Sequence, residues 1–282
     1  MTVFCLLLQV YPPPSLEHTN IRCALNFKAS CRKYHASLDL LKKLKKRTRV
    51  IYTVAFLLAD AEWERLIDDL VRQGILQTPN VANAMRHVPR LNFLPKAARQ
   101  HSAVDAPLQI GFGQTISAPH MVSIMNEALQ LEVGQRVLEV GAGSGWHAAT
   151  LGELVAPKSA PESTRGHVYS VEIIPSLAET ARRNILTAGF GDCVTVINAD
   201  GSKGYPDKAL YDRIAVTAAA PQVPQPLVDQ LKPDGGVMVI PVGTVSFYQT
   251  LIRLTKNAAG EVRQEDLGGV AFVPLTGEYG QG

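Results

Sequence analysis

The stretch Val137-Leu138-Glu139-Val140-Gly141-Ala142-Gly143-Ser144-Gly145 decides how this chain is read. A short apolar run carries an acid near its end, glycines follow on alternate positions, and Trp146-His147-Ala148-Ala149-Thr150-Leu151 continues in helix-compatible residues. The order is that of a strand, a tight turn and a helix start. Glycine tolerates backbone conformations that other residues avoid, and it leaves no side chain between the chain and a ligand. A dinucleotide fingerprint spaces its glycines G-x-G-x-x-G and sets the pyrophosphate on the helix N-terminus. Here the third glycine comes one residue early and Trp146 stands where that fingerprint has glycine. The pattern favours a ligand without a pyrophosphate.

Glu139 brings a carboxylate to the end of the strand, which suits a ligand carrying positive charge or hydrogen-bond donors. S-adenosylmethionine carries both an ammonium and a sulfonium, so the turn reads first as a site for it. A nucleotide site and a purely structural turn are the alternatives the pattern leaves open.

Downstream, strands and helices alternate. Val168–Glu172, Val194–Asn198, Arg213–Thr217 and Gly236–Pro241 read as buried strands, and 175–188 and 226–231 read as helices. Such alternation predicts an α/β fold, a doubly wound and mostly parallel sheet. Tyr248–Leu254 and Val270–Leu275 are predicted to add antiparallel strands at one edge. Ala156–Gly166, with two prolines and several small polar residues, is predicted to be a loop.

Upstream, Trp63, Leu66, Ile67, Leu70 and Val71 recur at helical spacing, and a second amphipathic run from Pro79 ends at Pro89. Residues 59–121 thus predict a helical cap followed by an irregular loop rich in glycine, hydroxyl and amide groups, and 122–282 the sheet domain. In that loop Ser117 is well placed to cap the helix beginning at Pro119. Residues 1–58 fit poorly with the remainder. They read either as a genuine extension of unassigned role, ordered or disordered, or as the product of a start codon assigned too early.

Of 282 residues, 46% are hydrophobic, ample for a sizeable core. The net charge of +3 is mild, and the densest basic run, Lys42–Arg47, lies outside the part that looks enzymatic, so it reads first as a solvated helix face, with a nucleic-acid surface as the alternative. Val3–Val10 and Val50–Ala59 are too short to span a bilayer. Cys5, Cys23, Cys31 and Cys193 show no metal spacing and read as reduced thiols of a cytoplasmic protein; no metal centre is expected. A serine hydrolase would want G-x-S-x-G at a strand-to-helix elbow, and Gly143-Ser144-Gly145 lacks that spacing.

Ligands of an open parallel sheet bind beyond the carboxyl ends of its strands. Glu139, Glu172 and Asp200 stand at three successive ends. The acid at the second can accept both ribose hydroxyls and the acid at the third an adenine amine.

The chain resembles the protein-L-isoaspartate O-methyltransferases. The resemblance rests on Gly113-Gln114-Thr115-Ile116-Ser117-Ala118-Pro119-His120-Met121, the Val137–Gly145 turn, Asp200-Gly201, Thr217-Ala218-Ala219-Ala220-Pro221, Ile240-Pro241-Val242-Gly243 and Phe272-Val273-Pro274-Leu275. It covers roughly residues 60–282. Phe112 stands in place of the family's usual histidine, Ala199 in place of its usual glycine, and the Ala156–Gly166 loop is longer than typical.

The resemblance implies methyl transfer from S-adenosyl-L-methionine to the free α-carboxylate of L-isoaspartyl residues in aged or damaged proteins, whose ester then closes to a succinimide that initiates repair. It implies no nucleic-acid or membrane partner. It assigns Ser117 and Thr115 to the substrate carboxylate, and Glu139, Gly141, Gly143, Gly145, Glu172, Ala199, Asp200 and Gly201 to the cofactor. A same-fold methyltransferase acting on another carboxylate or a small molecule is the alternative.

Overall fold

The computed structural model describes residues 60–244 and 248–281. The basic run Lys42–Arg47, the segment Val50–Ala59 and three of the four cysteines therefore lie outside the described residues.

Two helices come first, α1 over residues 60–72 and α2 over Pro79–His87. Trp63, Ile67 and Leu70 of α1 and Val81, Ala84 and Met85 of α2 are buried, the three-and-four spacing that an amphipathic helix needs to cover a core. Trp63 Nε1 donates to Met85 O at 2.9 Å and joins the two. A short antiparallel hairpin follows, β1 (Leu108–Gly111) and β2 (Gln114–Ile116), and then α3 (Pro119–Leu129).

From here strands and helices alternate: β3 (Arg136–Val140), α4 (Trp146–Val155), β4 (His167–Glu172), α5 (Pro175–Ala188), β5 (Val194–Asn198) and β6 (Arg213–Val216). Next come α6 (Gln225–Gln230), β7 (Gly236–Val242), β8 (Gln249–Lys256) and β9 (Val262–Val270). The strand order is β5-β4-β3-β6-β7-β8-β9, with the first five strands mutually parallel and β8 and β9 antiparallel. Central parallel strands are covered on both faces, which is why β6 is buried at every residue. After β3 the chain builds outward through β4 and β5, then returns to β6 on the other side of β3. That reversal opens a crevice at the carboxyl ends of β3 and β6.

Three expectations change. The last strand is Val262–Val270, not Val270–Leu275. Its residues are polar and mostly exposed, as suits an edge strand whose charges discourage further pairing. The apolar residues after it leave the ladder and pass back over the sheet, where Val273 and Leu275 pack against the core and Ala219 pairs with Pro274 in an isolated bridge. Glu139 is the fourth of the five residues of β3, paired in register with Ser170 and Ala215, so it sits inside the sheet and not past its end. Ser117 does not cap α3: the N-cap is Ala118, with no side-chain cap.

Candidate active site

The turn after β3 uses its glycines as backbone hinges. Gly141, Gly143 and Gly145 have φ of +99°, +54° and +90°, values that side chains with a Cβ rarely adopt. The loop is sewn to its neighbours: Gly141 N and Ala142 N donate to Val171 O at 2.8 and 3.2 Å, and Asn184 Nδ2 reaches from α5 to Ser144 O at 2.9 Å. Thr217, just past β6, donates its hydroxyl to Gly141 O at 2.7 Å. A Cβ on Gly141 would collide with that hydroxyl oxygen. The turn is closed on one side by Thr217 and left open on the other.

Glu172 ends β4 with its carboxyl group turned toward the glycine turn. Oε2 accepts Gly143 N at 2.9 Å and Oε1 accepts Ile174 N at 3.0 Å. Burial pushes its pKa above the ordinary carboxylate value, and the charge of nearby Glu139 adds to this, while the two amides oppose it. A cleft runs here, walled by Gly141, Gly143, Glu172, Gly201, Thr217 and, from the β1–β2 hairpin, Thr115.

Asp200 caps the short turn Gly201–Lys203. Its Oδ1 accepts Ser202 N at 3.0 Å and Ser202 Oγ at 2.6 Å, and its Oδ2 accepts Glu278 N at 2.9 Å. Burial works against its charge, but these hydrogen bonds outweigh burial and hold Asp200 below its usual range. The C-terminal segment thus forms part of the site, an element the sequence reading did not assign to it. Leu275 and Thr276 line the cleft, Tyr279 N donates to Ser202 Oγ at 3.1 Å, and Gln281 Nε2 reaches Ala219 O at 2.7 Å. Gly277, at φ +117°, lies so close to Asp200 that a Cβ would collide with Oδ1. That glycine, three residues past Pro274, was the available signal for a turn and close approach.

Glu139 does not line the cleft. It is fully buried behind the turn, where Ser170 Oγ donates to its Oε2. His147 Nδ1 stands 3.2 Å from its Oε1, at ion-pair distance yet out of line for a hydrogen bond, so neither atom has a hydrogen-bond partner among the described residues. His147 Nε2 faces Asn126 Oδ1 on α3 at 3.1 Å. The strand end predicted to meet the ligand instead anchors α4 and α3 beneath it.

Of the residues singled out in the sequence, Thr115, Gly141, Gly143, Glu172 and Gly201 line one cleft; Gly145, Ala199 and Asp200 flank it, and Glu139 lies behind. Ser117 follows β2, half-buried, with no hydrogen bond to its hydroxyl among the described residues. Phe112, at the hairpin tip, is 63% exposed at φ +55°. Cys193 is buried, and burial pushes its thiol up to about 12, which removes it as a nucleophile. Among the described residues no three histidine, cysteine or acidic side chains gather as a metal site, and no helix is long and apolar enough to cross a membrane.

Residues 61–280 match the family model of protein-L-isoaspartate(D-aspartate) O-methyltransferase. The chain belongs to this family. Among similar proteins, the protein-L-isoaspartate O-methyltransferase of Hyperthermus butylicus is 53% identical over 226 residues, 78% of this chain and 93% of that one. That of Korarchaeum cryptofilum is 51% identical over 216 residues, 77% and 97% of the two chains. A crystal structure from Plasmodium falciparum, a putative protein-L-isoaspartate O-methyltransferase in complex with S-adenosyl-L-homocysteine, aligns with a TM-score of 0.67 at 28% identity, over 76% of this chain and 98% of that one. As a member of the isoaspartate O-methyltransferase family, the chain takes S-adenosyl-L-methionine as its methyl donor, and the glycine cradle and the inward carboxylate of Glu172 fit that molecule.

Proposed function

We propose that this member of the family methylates the free α-carboxylate of L-isoaspartyl residues at the cleft between the glycine turn and the β1–β2 hairpin. The observation that carries the reading is that Thr115 lines the same cleft as Gly141, Gly143 and Glu172, so substrate and donor groups meet at one place.

The donor, when bound, supplies a methyl group activated by its sulfonium; the C–S bond breaks as the C–O bond forms. The acceptor carboxylate is ionised near neutral pH, since a carboxyl group titrates near ~4, and a strong general base is unnecessary. The protein's work is alignment, and well-oriented reactants can supply ~7–11 kcal/mol of the barrier. In this reading Gly141, Gly143 and Gly145 let the donor lie against bare backbone, and Glu172 accepts its ribose hydroxyls. Ala199, Asp200 and Gly201 meet the adenine. Glu139 contributes from behind, as a buried negative charge under the turn. Ser117 and Thr115 donate hydrogen bonds to the substrate carboxylate. The methyltransferase domain is assigned to residues 59–282, with 1–58 an extension of unassigned role, and the partners are damaged proteins carrying isoaspartyl residues.

Labelled S-adenosylmethionine tests this directly. Label enters an isoaspartyl peptide and not its aspartyl counterpart, and Ser117→Ala lowers kcat at least tenfold while S-adenosylhomocysteine affinity stays within about twofold, the pattern of an interaction made in the transition state. Equal labelling of both peptides sinks the substrate assignment, and labelling of neither, with a small carboxylic acid accepted instead, favours the small-molecule reading.

A further inference from the structure

Ser117 is bracketed by two side chains from elsewhere in the chain, neither of which lines the cleft. The first is Arg90, fully buried at the start of a short helical turn after Pro89. Its Nη1 donates to Val104 O at 3.0 Å, and its Nη2 to Ala106 O at 2.8 Å and Ile116 O at 3.3 Å. The guanidinium also lies 5.5 Å from the centre of the Trp146 ring at the head of α4, within range of a cation–π contact. Among the described residues no carboxylate bonds to it. Burial lowers its pKa to about 10, so it stays charged at neutral pH. Its planar fork is what allows one residue to hold three carbonyls, the last of them directly before Ser117.

The second is Asp105, which lies between the two residues that Arg90 holds upstream. Its Oδ1 accepts His120 N at 2.9 Å and stands 2.9 Å from His120 Nδ1. His120 is the second residue of α3, so its N–H is one of the donors that a helix start leaves without a partner. A local serine would ordinarily take such a donor. Ala118 cannot, Ser117 does not, and Asp105 does so from fifteen residues upstream.

We propose that Arg90 and Asp105 are positioning residues that hold the backbone on either side of Ser117, at Ile116 O and His120 N, and thereby present the Ser117 hydroxyl to the substrate carboxylate without spending it on capping α3. This rests on the assignment of Ser117 to the substrate given above. It adds that the hydroxyl is free because a distant acid has taken over its structural duty, and that its placement is set by a buried cation tied also to the cofactor-side helix through Trp146.

A double-mutant cycle with Ser117→Ala tests it, read as kcat on an isoaspartyl peptide and as S-adenosylhomocysteine affinity. Arg90→Lys keeps the charge but cannot span three carbonyls, and Asp105→Ala removes the acceptor. Each lowers kcat about tenfold with the homologue's affinity unchanged within about twofold, because misplacement of an aligning group costs rate more than binding. Asp105→Asn, which keeps an acceptor for His120 N, restores kcat to within about threefold of wild type. In the Ser117→Ala background the same substitutions change kcat by less than about twofold, since no hydroxyl is left to place. Equal losses in both backgrounds, or a parallel loss of homologue binding, overturn the proposal alone. Full activity of Ser117→Ala overturns the role of Ser117 and this bracket with it. Arg90→Lys strains a wholly buried site; Asp105, one-third exposed, carries the same cycle if that variant fails to fold.

Discussion

Gly141 and Thr115 line the same cleft, but the chain holds them there by different means. Gly141 belongs to the donor wall, where backbone amides bond to the neighbouring strand and the ligand surface is main chain at positive φ. Thr115 belongs to the acceptor wall, a two-stranded hairpin whose surroundings are fastened by side chains from outside it: Arg90 on Ile116 and Asp105 on His120. A wall made largely of backbone breaks when atoms are added to it or when a side chain that meets the ligand, such as Glu172, is changed. A wall held by distant side chains loses geometry when any tie is cut, while its own ligand-facing residues stay intact. The donor wall should therefore break through binding and the acceptor wall through turnover.

The sharpest break on the donor side is Gly141→Ala. A Cβ there forces a non-glycine residue to φ +99°, which costs on the order of 1–3 kcal/mol, and drives it into Thr217 Oγ1, with overpacking of the order of another 1–3 kcal/mol. If most of that strain falls on the cofactor-competent shape of the turn, S-adenosylhomocysteine affinity drops about a hundredfold or more. Calorimetric titration of the folded variant reads it. Affinity within threefold of wild type would mean that the donor wall yields and is not set by its backbone.

Glu172 comes next and separates function from stability. Its pKa is raised in the folded protein by burial, so it takes up a proton at a higher pH than a free glutamate, whose pKa is about 4.3. A raised carboxyl favours the folded state below the unfolded pKa and loses that contribution as pH rises through the folded one, so its buried charge, once formed, costs stability. The ionised form is the one that accepts ribose hydroxyls. Donor affinity thus falls as pH drops through the raised folded pKa. Glu172→Gln weakens S-adenosylhomocysteine binding about ten- to a hundredfold at pH 7, in line with about 1.5–3 kcal/mol for hydrogen bonds to a charged group, flattens the pH dependence, and leaves the Tm of the ligand-free protein equal or higher. A lower ligand-free Tm, with binding unchanged, would make Glu172 a structural residue tied only to Gly143 and Ile174.

The same division explains what was legible in the sequence. Helix α5 was readable at both ends, because Pro175 opens it and Gly189 closes it in the left-handed conformation at φ +84°. The glycine turn and Glu172 were readable because a strand, its end and a turn are signalled within ten residues. Glu139 was placed at the end of its strand facing the ligand, whereas it sits inside β3 and turns away, since an acid one residue before a strand's end can point either way. Strand β9 went unread because its edge position leaves its polar residues exposed and removes the alternating pattern, while the apolar Val270–Leu275 supplied a false strand signal by packing over the site. The acceptor wall was visible as a motif, Gln114 to Ser117, but not as a structure. Its ties join residue 90 to 116 and 105 to 120, as 200 is joined to 278 on the donor side, and no local periodicity records them.

The smallest expected effect lies in the C-terminal segment, on the adenine side. Across the C-terminal segment Lys203 and Glu278 form an ion pair, with both side chains more than half exposed. Glu278 also donates its backbone N–H to Asp200 Oδ2, and Tyr279 and Gln281 add bonds to Ser202 Oγ and Ala219 O. Exposed ion pairs are screened by salt and contribute little, whereas the backbone bond to Asp200 survives any side-chain change at 278. Glu278→Gln therefore alters kcat/KM for an isoaspartyl peptide by less than about twofold, and alters it no further when ionic strength is raised. A fivefold loss that disappears at high salt would place the C-terminal segment, and Asp200 beneath it, under the control of surface charge, and the ties that count there would then have to be sought among exposed pairs and not in the backbone bond from Glu278 to Asp200.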